Sequence, residues 1–356
     1  MKAAVMRAGA LRVDELPDPV PEAGQVLVKT LACGICGSDL HALQHSHELV
    51  NASREVGASF DFDPDRDVVM GHEFCVEILD HGPGTQGTLP LGSRACSLPV
   101  VAGRDGAAAT VGYSNDYPGG YGELMVLNED LLLPVPNGLS TEHAALTEPL
   151  AVGWHAVAKA NLQGDETPLV IGCGPVGLAV IAALKKRGVG PIVAADFSPT
   201  RRAMAEALGA DDIIDPAQDS PYTRWAQRGG YDAPPDPLGA NAFSKPVMFE
   251  CVGVPGVIEQ LMLAAPRDAR IVVVGVCMEH DRIQPFQGIV KELSLQFVLA
   301  YTAEEFGHTL QLLGDGEMDG QAMLTGRVGL SGVVQAFQDL GDPEAHAKIL
   351  VEPWRS

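Results

Sequence analysis

The chain has 356 residues, 46 % of them hydrophobic and 20 % charged, which at roughly 150 residues per domain points to about two globular domains and excludes a fibre, a disulfide miniprotein and a disordered chain. Its 24 Lys and Arg against 46 Asp and Glu leave a formal charge of −22, which repels phosphate backbones and anionic membranes and disfavours nucleic acid and membrane as partners. Seven cysteines, an odd number spread from Cys33 to Cys277, fit thiols and metal ligands better than a disulfide framework.

In chain order, residues 1–7 lack the apolar core of a secretory signal, and no apolar run approaches the ~18 residues of a membrane span, so the chain reads as cytoplasmic. Short apolar or alternating runs at 2–6, 25–32, 73–80 and 124–127, broken by Gly and Pro, predict a mostly-β first third. From about Val152 the pattern becomes helix and strand in alternation, with apolar strands at 169–171, 192–195, 247–249 and 271–274. Strands so uniformly apolar are expected to be buried on both faces of a doubly wound parallel sheet. A helix is expected over 176–187, and Ser198-Pro199 gives an N-cap and first-turn proline to another that ends before Gly209. Residues 42–69, rich in His and Asp, and 216–245, rich in Pro, Gly and Asp, read as surface insertions. A helix over 303–313 and a closing strand over 347–351 complete the chain.

Two constellations carry chemistry. Gly172-Cys173-Gly174-Pro175-Val176-Gly177 follows a predicted strand and opens a predicted helix, and Asp196 ends the next strand 19 residues beyond Gly177. In that context the glycines let the backbone approach a pyrophosphate at a helix N-terminus, and Asp196 accepts hydrogen bonds from ribose hydroxyls while repelling a 2′-phosphate, so NAD is favoured over NADP. Arg201 and Arg202 read as surface charges of the following helix.

The second is Cys33-Gly34-Ile35-Cys36-Gly37-Ser38-Asp39-Leu40-His41, followed by Gly71-His72-Glu73 and by Thr147-Glu148-Pro149-Leu150. A thiolate, an imidazole and a carboxylate from three distant segments, with a fourth position open, suit a catalytic zinc. Cys33 and Cys36 alone could be a redox pair or half of a structural zinc site, but no second C-x-x-C and no thioredoxin-like unit accompanies them. Asp61, Asp63, Asp65 and Asp67 alternate like a calcium loop, yet Arg66 stands where its glycine belongs and His72 where its last acid belongs, which rejects that reading.

The motifs in this order resemble the zinc-dependent medium-chain alcohol dehydrogenases, in the polyol, threonine and secondary-alcohol branch, across nearly the whole chain. The resemblance implies an α/β protein: a GroES-like, mostly-β catalytic domain from residues 1–149 and 297–356 around a Rossmann domain from 150–296. By position, Cys36 and His72 look like zinc ligands and Glu148 fills the third-ligand place. Glu73 looks like a carboxylate that can bind or exchange at the metal, and Asp39 like the partner of a ligand. Ser38 and His41 match the family's proton relay. Cys33 is expected to be a buried thiol, and His45 and His47 exposed loop side chains. Only Cys96 stands in the stretch 93–122 where many relatives carry four cysteines, so one catalytic zinc and no structural zinc is expected. Tyr113, Tyr121, Trp154, Phe286 and Tyr301 can shape a pocket or simply pack, and receive no role. The implied activity is hydride transfer between an alcohol and NAD, with a homodimer or homotetramer as the assembly. An aldehyde-dismutating member with tightly held NAD, and a non-catalytic crystallin-like member, are the alternatives.

Overall fold

The computed structural model describes residues 1–58, 60, 62–103, 108–231 and 246–356. Asp61 and the latter half of the 216–245 stretch therefore lie outside the described residues. The first part holds ten strands, β1 (Lys2–Arg7), β2 (Ala10–Glu15), β3 (Gln25–Gly34), β4 (Val68–Val69), β5 (Glu73–His81), β6 (Arg94–Ser97), β7 (Val100–Ala102), β8 (Ala108–Thr110), β9 (Leu124–Asn128) and β10 (Leu132–Pro134). Helices α1 (Gly37–Gln44) and α2 (Ser46–Val56) lie between β3 and β4, and α3 (Thr141–Ala145) and α4 (Thr147–Lys159) follow β10.

The second part alternates β11 (Pro168–Ile171), α5 (Pro175–Lys186), β12 (Val193–Ala195), α6 (Pro199–Ala207), β13 (Asp212–Ile214), α7 (Pro221–Gly229), β14 (Val247–Glu250), α8 (Val257–Ala264), β15 (Arg270–Val273), α9 (Pro285–Lys291) and β16 (Ser294–Phe297). After α10 (Ala303–Gly314) come β17 (Leu324–Val328), α11 (Val333–Asp339) and β18 (Lys348–Val351).

The six strands β11 to β16 form one parallel sheet in the order β13-β12-β11-β14-β15-β16. That is the doubly wound order, and its reversal between β11 and β14 opens the crevice in which such sheets take ligands. Leu169, Val193, Met248 and Ile271 are fully buried in its centre, as expected of strands covered on both faces. Ser198 caps α6 by accepting the Arg201 N–H, with Pro199 in the first turn, and Gly209 turns the chain out with φ +109°.

The first part and the C-terminal return share a sheet. The ten-residue β3 pairs antiparallel with β5 along its length, with β9 over its first half and with β18 at Cys33 and Gly34. β17 lies parallel to β18. The last segment of the chain is thereby set beside the turn that carries Cys36.

The 42–69 stretch is more than a surface loop. It contains the whole of α2, whose Val50 and Ser53 are buried and which ends at Gly57 in the left-handed conformation. Beyond it Phe62 is buried, and Phe60 meets the Tyr113 ring edge-on at 5.0 Å. Hydrophobic residues that the His and Asp content obscured fasten the segment to the β unit. No helix among the described residues is long and apolar enough to cross a membrane.

Candidate active site

The site is assembled where β3, β5, α1 and β18 meet. Cys36 occupies the N-cap of α1, with extended backbone, and the Asp39 carboxylate accepts its N–H at 3.0 Å. Asp39 is wholly buried and also accepts from Tyr121 Oη at 2.6 Å and Tyr113 Oη at 3.0 Å. His72 Nδ1 faces Asp39 Oδ1 at 3.5 Å, an ion-pair distance. Burial acts to raise the Asp39 pKa, but His72 and the surrounding donors hold it below the usual carboxylate value. Burial likewise acts to lower the His72 pKa, and Asp39 together with Cys36 lifts it well above the ordinary imidazole value. Such a pair is strongly polarised and orients the ring.

Two glycines make room for this. Gly71 has φ +101°, and a Cβ there would come within 2.9 Å of both the Tyr121 ring and Cys33 Sγ. Gly34 faces the Glu73 carboxylate so closely that a Cβ would lie 1.9 Å from Oε2. Glu73 is fully buried, and both its oxygens accept from Lys348 Nζ at 2.7 Å. Lys348 also donates to the Ile35 carbonyl at 3.0 Å. A buried lysine is disfavoured as a cation, yet Glu73 raises the Lys348 pKa above its ordinary value.

The ligand atoms of Cys36, His72 and Glu73 lie within 4.8 Å of one another. Glu148, in the first turn of α4, is buried but falls outside that group. Burial first, and then the charge of Glu73, push its pKa up to about 7, against the opposing pull of His72, Lys348 and a hydrogen bond with Tyr301. The pocket thus encloses three carboxyls and a thiol against one ammonium and one imidazole. A soft and hard donor set with an excess of potential negative charge fits a zinc ion.

Ser38 is half-buried and hydrogen-bonded to Tyr113 at 2.8 Å. His41 lies on the same helix, and burial, with His45 beside it, keeps its pKa below the usual value. No hydrogen bond among the described residues joins Ser38 to His41. Cys33 is fully buried, while His45 and His47 are exposed.

At the crevice of the parallel sheet, Gly172 has φ +90° and packs on Cys251 and Val252, and a Cβ on Gly177 would lie 1.9 Å from the Gly172 carbonyl. Gly174 caps α5, with Pro175 in its first turn and Val176 after it. Asp196 accepts the Cys173 N–H at 2.7 Å and the Ser198 N–H at 2.8 Å, tying the acidic strand end to the glycine loop. The arrangement fits a dinucleotide, because the backbone is bare where a pyrophosphate would approach. Arg201 and Arg202 depart from the surface-charge expectation. Arg201 Nη1 stands 3.8 Å from the Cβ position of Gly174, and Arg202 donates to the Asp196 and Phe197 carbonyls and pairs with Asp215 at 3.3 Å.

The sequence reading missed Lys348, Gly34 and the tyrosines. A single lysine in an otherwise apolar closing strand was the one signal available. The tyrosines gave none, because only the tertiary structure brings their hydroxyls to Asp39.

Residues 22–137 match the alcohol dehydrogenase GroES-like domain and residues 175–315 the zinc-binding dehydrogenase family. The chain is 32 % identical over 359 residues to (R,R)-butanediol dehydrogenase of Bacillus subtilis, covering 96 % of each chain. It is 28 % identical over 341 residues to sorbitol dehydrogenase of Bos taurus, covering 93 % of this chain and 90 % of that one. The crystal structure of 2R,3R-butanediol dehydrogenase from Bacillus subtilis superposes with a TM-score of 0.82 at 30 % identity, covering 99 % of both chains. With its motifs, its two largest sheets and its donor set in this correspondence, the chain belongs to the zinc-dependent medium-chain alcohol dehydrogenases and is an oxidoreductase of that family.

Proposed function

We propose that this protein catalyses reversible hydride transfer between a secondary alcohol or polyol and NAD, with one zinc per chain held by Cys36, His72 and Glu73. The observation that carries the reading is the clustering of those three ligand atoms within 4.8 Å. The similarity to enzymes named butanediol and sorbitol dehydrogenases supports the substrate class. Zinc in that place supplies Lewis acidity that lowers the pKa of an alcohol oxygen, and NAD supplies the hydride acceptor.

The chain's own groups do the rest. Asp39 orients His72, Lys348 balances the Glu73 charge, and Gly34 admits the Glu73 carboxylate. Glu148 and Tyr301 border the donor set and offer a hydrogen-bonding wall to a hydroxylated substrate. Ser38 accepts the alcohol proton, and His41, kept neutral near pH 7, receives a proton through a bridging hydroxyl or water. Asp196 selects a ribose bearing free hydroxyls, which favours NAD.

The assembly is a homo-oligomer built on the open edge of the parallel sheet, where Phe297 on β16 is 63 % exposed and Ile289 on α9 is 72 % exposed. The chemistry is tested by NADH absorbance with a panel of polyols, secondary and primary alcohols, on metal-quantified protein with and without chelator. Chelator-sensitive NADH formation with about one zinc per chain is expected. Freshly purified protein without zinc, or zinc-loaded protein inert to every alcohol, would overturn the reading.

A further inference from the structure

Glu250 ends β14, the strand beside β11 at the reversal of the parallel sheet. Val247, Met248 and Phe249 before it are fully buried, and Glu250 is itself only 1 % exposed. A carboxylate is costly in such a place unless donors meet its oxygens. Its Oε1 accepts the Val252 N–H at 2.7 Å and the Gly253 N–H at 2.9 Å. Its main-chain carbonyl accepts the Val274 and Gly275 N–H groups at 2.9 and 3.0 Å. One residue thus grips the loop that leaves β14 through its side chain and the loop that leaves β15 through its backbone.

The seam between those loops has no spare room. Gly253 has φ +71°, and a Cβ there would lie 2.6 Å from the Val276 carbonyl oxygen. A Cβ on Gly275 would collide with Gly253 N and lie 2.8 Å from Glu250 Oε2. Asp196, after β12, marks the adenosine ribose and the glycine loop after β11 marks the pyrophosphate, so the nicotinamide end of a dinucleotide extends over the ends of β14 and β15. Val252 reaches to 2.8 Å from the Cβ position of Gly172, yet Val252 and Val276 remain 43 % and 46 % exposed, an apolar surface suited to a planar ring.

We infer that Glu250 is a positioning residue, whose carboxylate sets the Val252–Gly253 loop against Gly275 and Val276 as the floor on which the nicotinamide rests. The inference rests on the reading of NAD as the cofactor. The adenosine and pyrophosphate sites do not depend on this carboxylate, because Cys251, which packs on Gly172, is tied to the sheet by its own N–H on the Ile171 carbonyl at 2.9 Å. Loss of the Glu250 carboxylate therefore frees the nicotinamide floor alone.

The test compares NADH with ADP-ribose, which carries the adenosine and the pyrophosphate but no nicotinamide, by calorimetric titration of zinc-quantified protein. Glu250→Met keeps the reach of the side chain and removes its acceptors. Its dissociation constant for NADH is expected to rise about tenfold while that for ADP-ribose stays within about twofold of wild type. Glu250→Gln, whose amide oxygen can still accept both N–H groups, is expected to hold both constants within about twofold. Gly275→Ala drives a methyl into the seam and is expected to reproduce the Glu250→Met pattern, and it carries the test if Glu250→Met does not fold. Equal losses of NADH and ADP-ribose, or unchanged NADH affinity in Glu250→Met and Gly275→Ala, overturn the inference. A loss in Glu250→Gln equal to that in Glu250→Met would assign the effect to charge rather than to placement and overturn it as well. Wild-type protein that binds neither NADH nor ADP-ribose would instead overturn the cofactor reading, and the inference with it.

Discussion

Lys348 and Glu73 sit 275 positions apart in the chain and 2.7 Å apart in the site, both about 1 % exposed. Isolated, either charge would be untenable there, because a buried ion without its partner costs several kcal/mol. Lys348→Met is therefore expected to destabilise the metal-free protein by about 3–5 kcal/mol. Adding Glu73→Gln is expected to restore most of that, since a neutral amide needs no counter-charge. Denaturant unfolding of the two single variants and the double variant measures the coupling, and additive losses would show that the pair is not a charge pair in solution. Gly34→Ala probes the same carboxylate sterically. The added methyl, 1.9 Å from Glu73 Oε2, must push the carboxylate aside, and zinc content after dialysis is expected to fall while Cys36 and His72 are untouched. Retention of full zinc occupancy would remove Glu73 from the ligand set.

Among the elements, the glycine loop and Asp196 were legible in the sequence because their chemistry is local: strand, turn and helix are contiguous, and the acid ends the next strand. Asp196→Ser removes the charge proposed to meet the ribose hydroxyls and leaves the Cys173 N–H with a weaker acceptor. Charged hydrogen bonds of this kind contribute about 1.5–3 kcal/mol, so the NAD dissociation constant is expected to rise about ten- to a hundredfold. NADP, no longer repelled and with Arg201 beside the loop, is expected to lose less or to gain. Titration of both cofactors by fluorescence checks the ratio, and an equal loss for both would deny Asp196 its discriminating role. At the base of β11, Glu166 shows a second kind of local design. Burial acts to raise its pKa, but Arg270 and the Gln163 and Gly164 N–H groups hold it below the ordinary carboxylate value. A folded pKa below the unfolded one gives stability that is present above about pH 4.5 and lost as pH falls through the folded value. Glu166→Gln is expected to flatten the acid side of a melting-temperature profile, and an unchanged acid slope would place the titration elsewhere. What the sequence hid at this scale was α2, whose few apolar residues are spread among His, Asn and Arg, and the tyrosine hydroxyls, whose function depends on contacts no spacing encodes.

At the scale of the whole molecule, net charge opposes association: two copies at −22 each repel wherever their acidic surfaces meet. One region escapes this. Between Ile283 and Ala300 the only charged residues are the neighbours Lys291 and Glu292, and Phe286, Ile289, Val290, Phe297 and Leu299 all stand exposed. The region includes β16, the last strand of the parallel sheet, so it combines an open strand edge with an apolar patch, a pairing that monomers rarely leave uncovered. A second copy related by a two-fold axis would place the same apolar surface against itself and run the two edge strands antiparallel. The repeating patterns of residues along the chain announced each strand but not this edge, because which strand ends a sheet is decided by topology rather than by composition. Light scattering is expected to give a mass of at least twice that of the chain, and Phe286→Asp with Ile289→Asp is expected to yield the monomer. Because neither residue belongs to the zinc or glycine-loop groups, the monomer should still bind zinc and cofactor. A wild-type protein that runs as a monomer at every concentration would leave the patch without its partner, and a double variant that stays oligomeric would move the interface to another face.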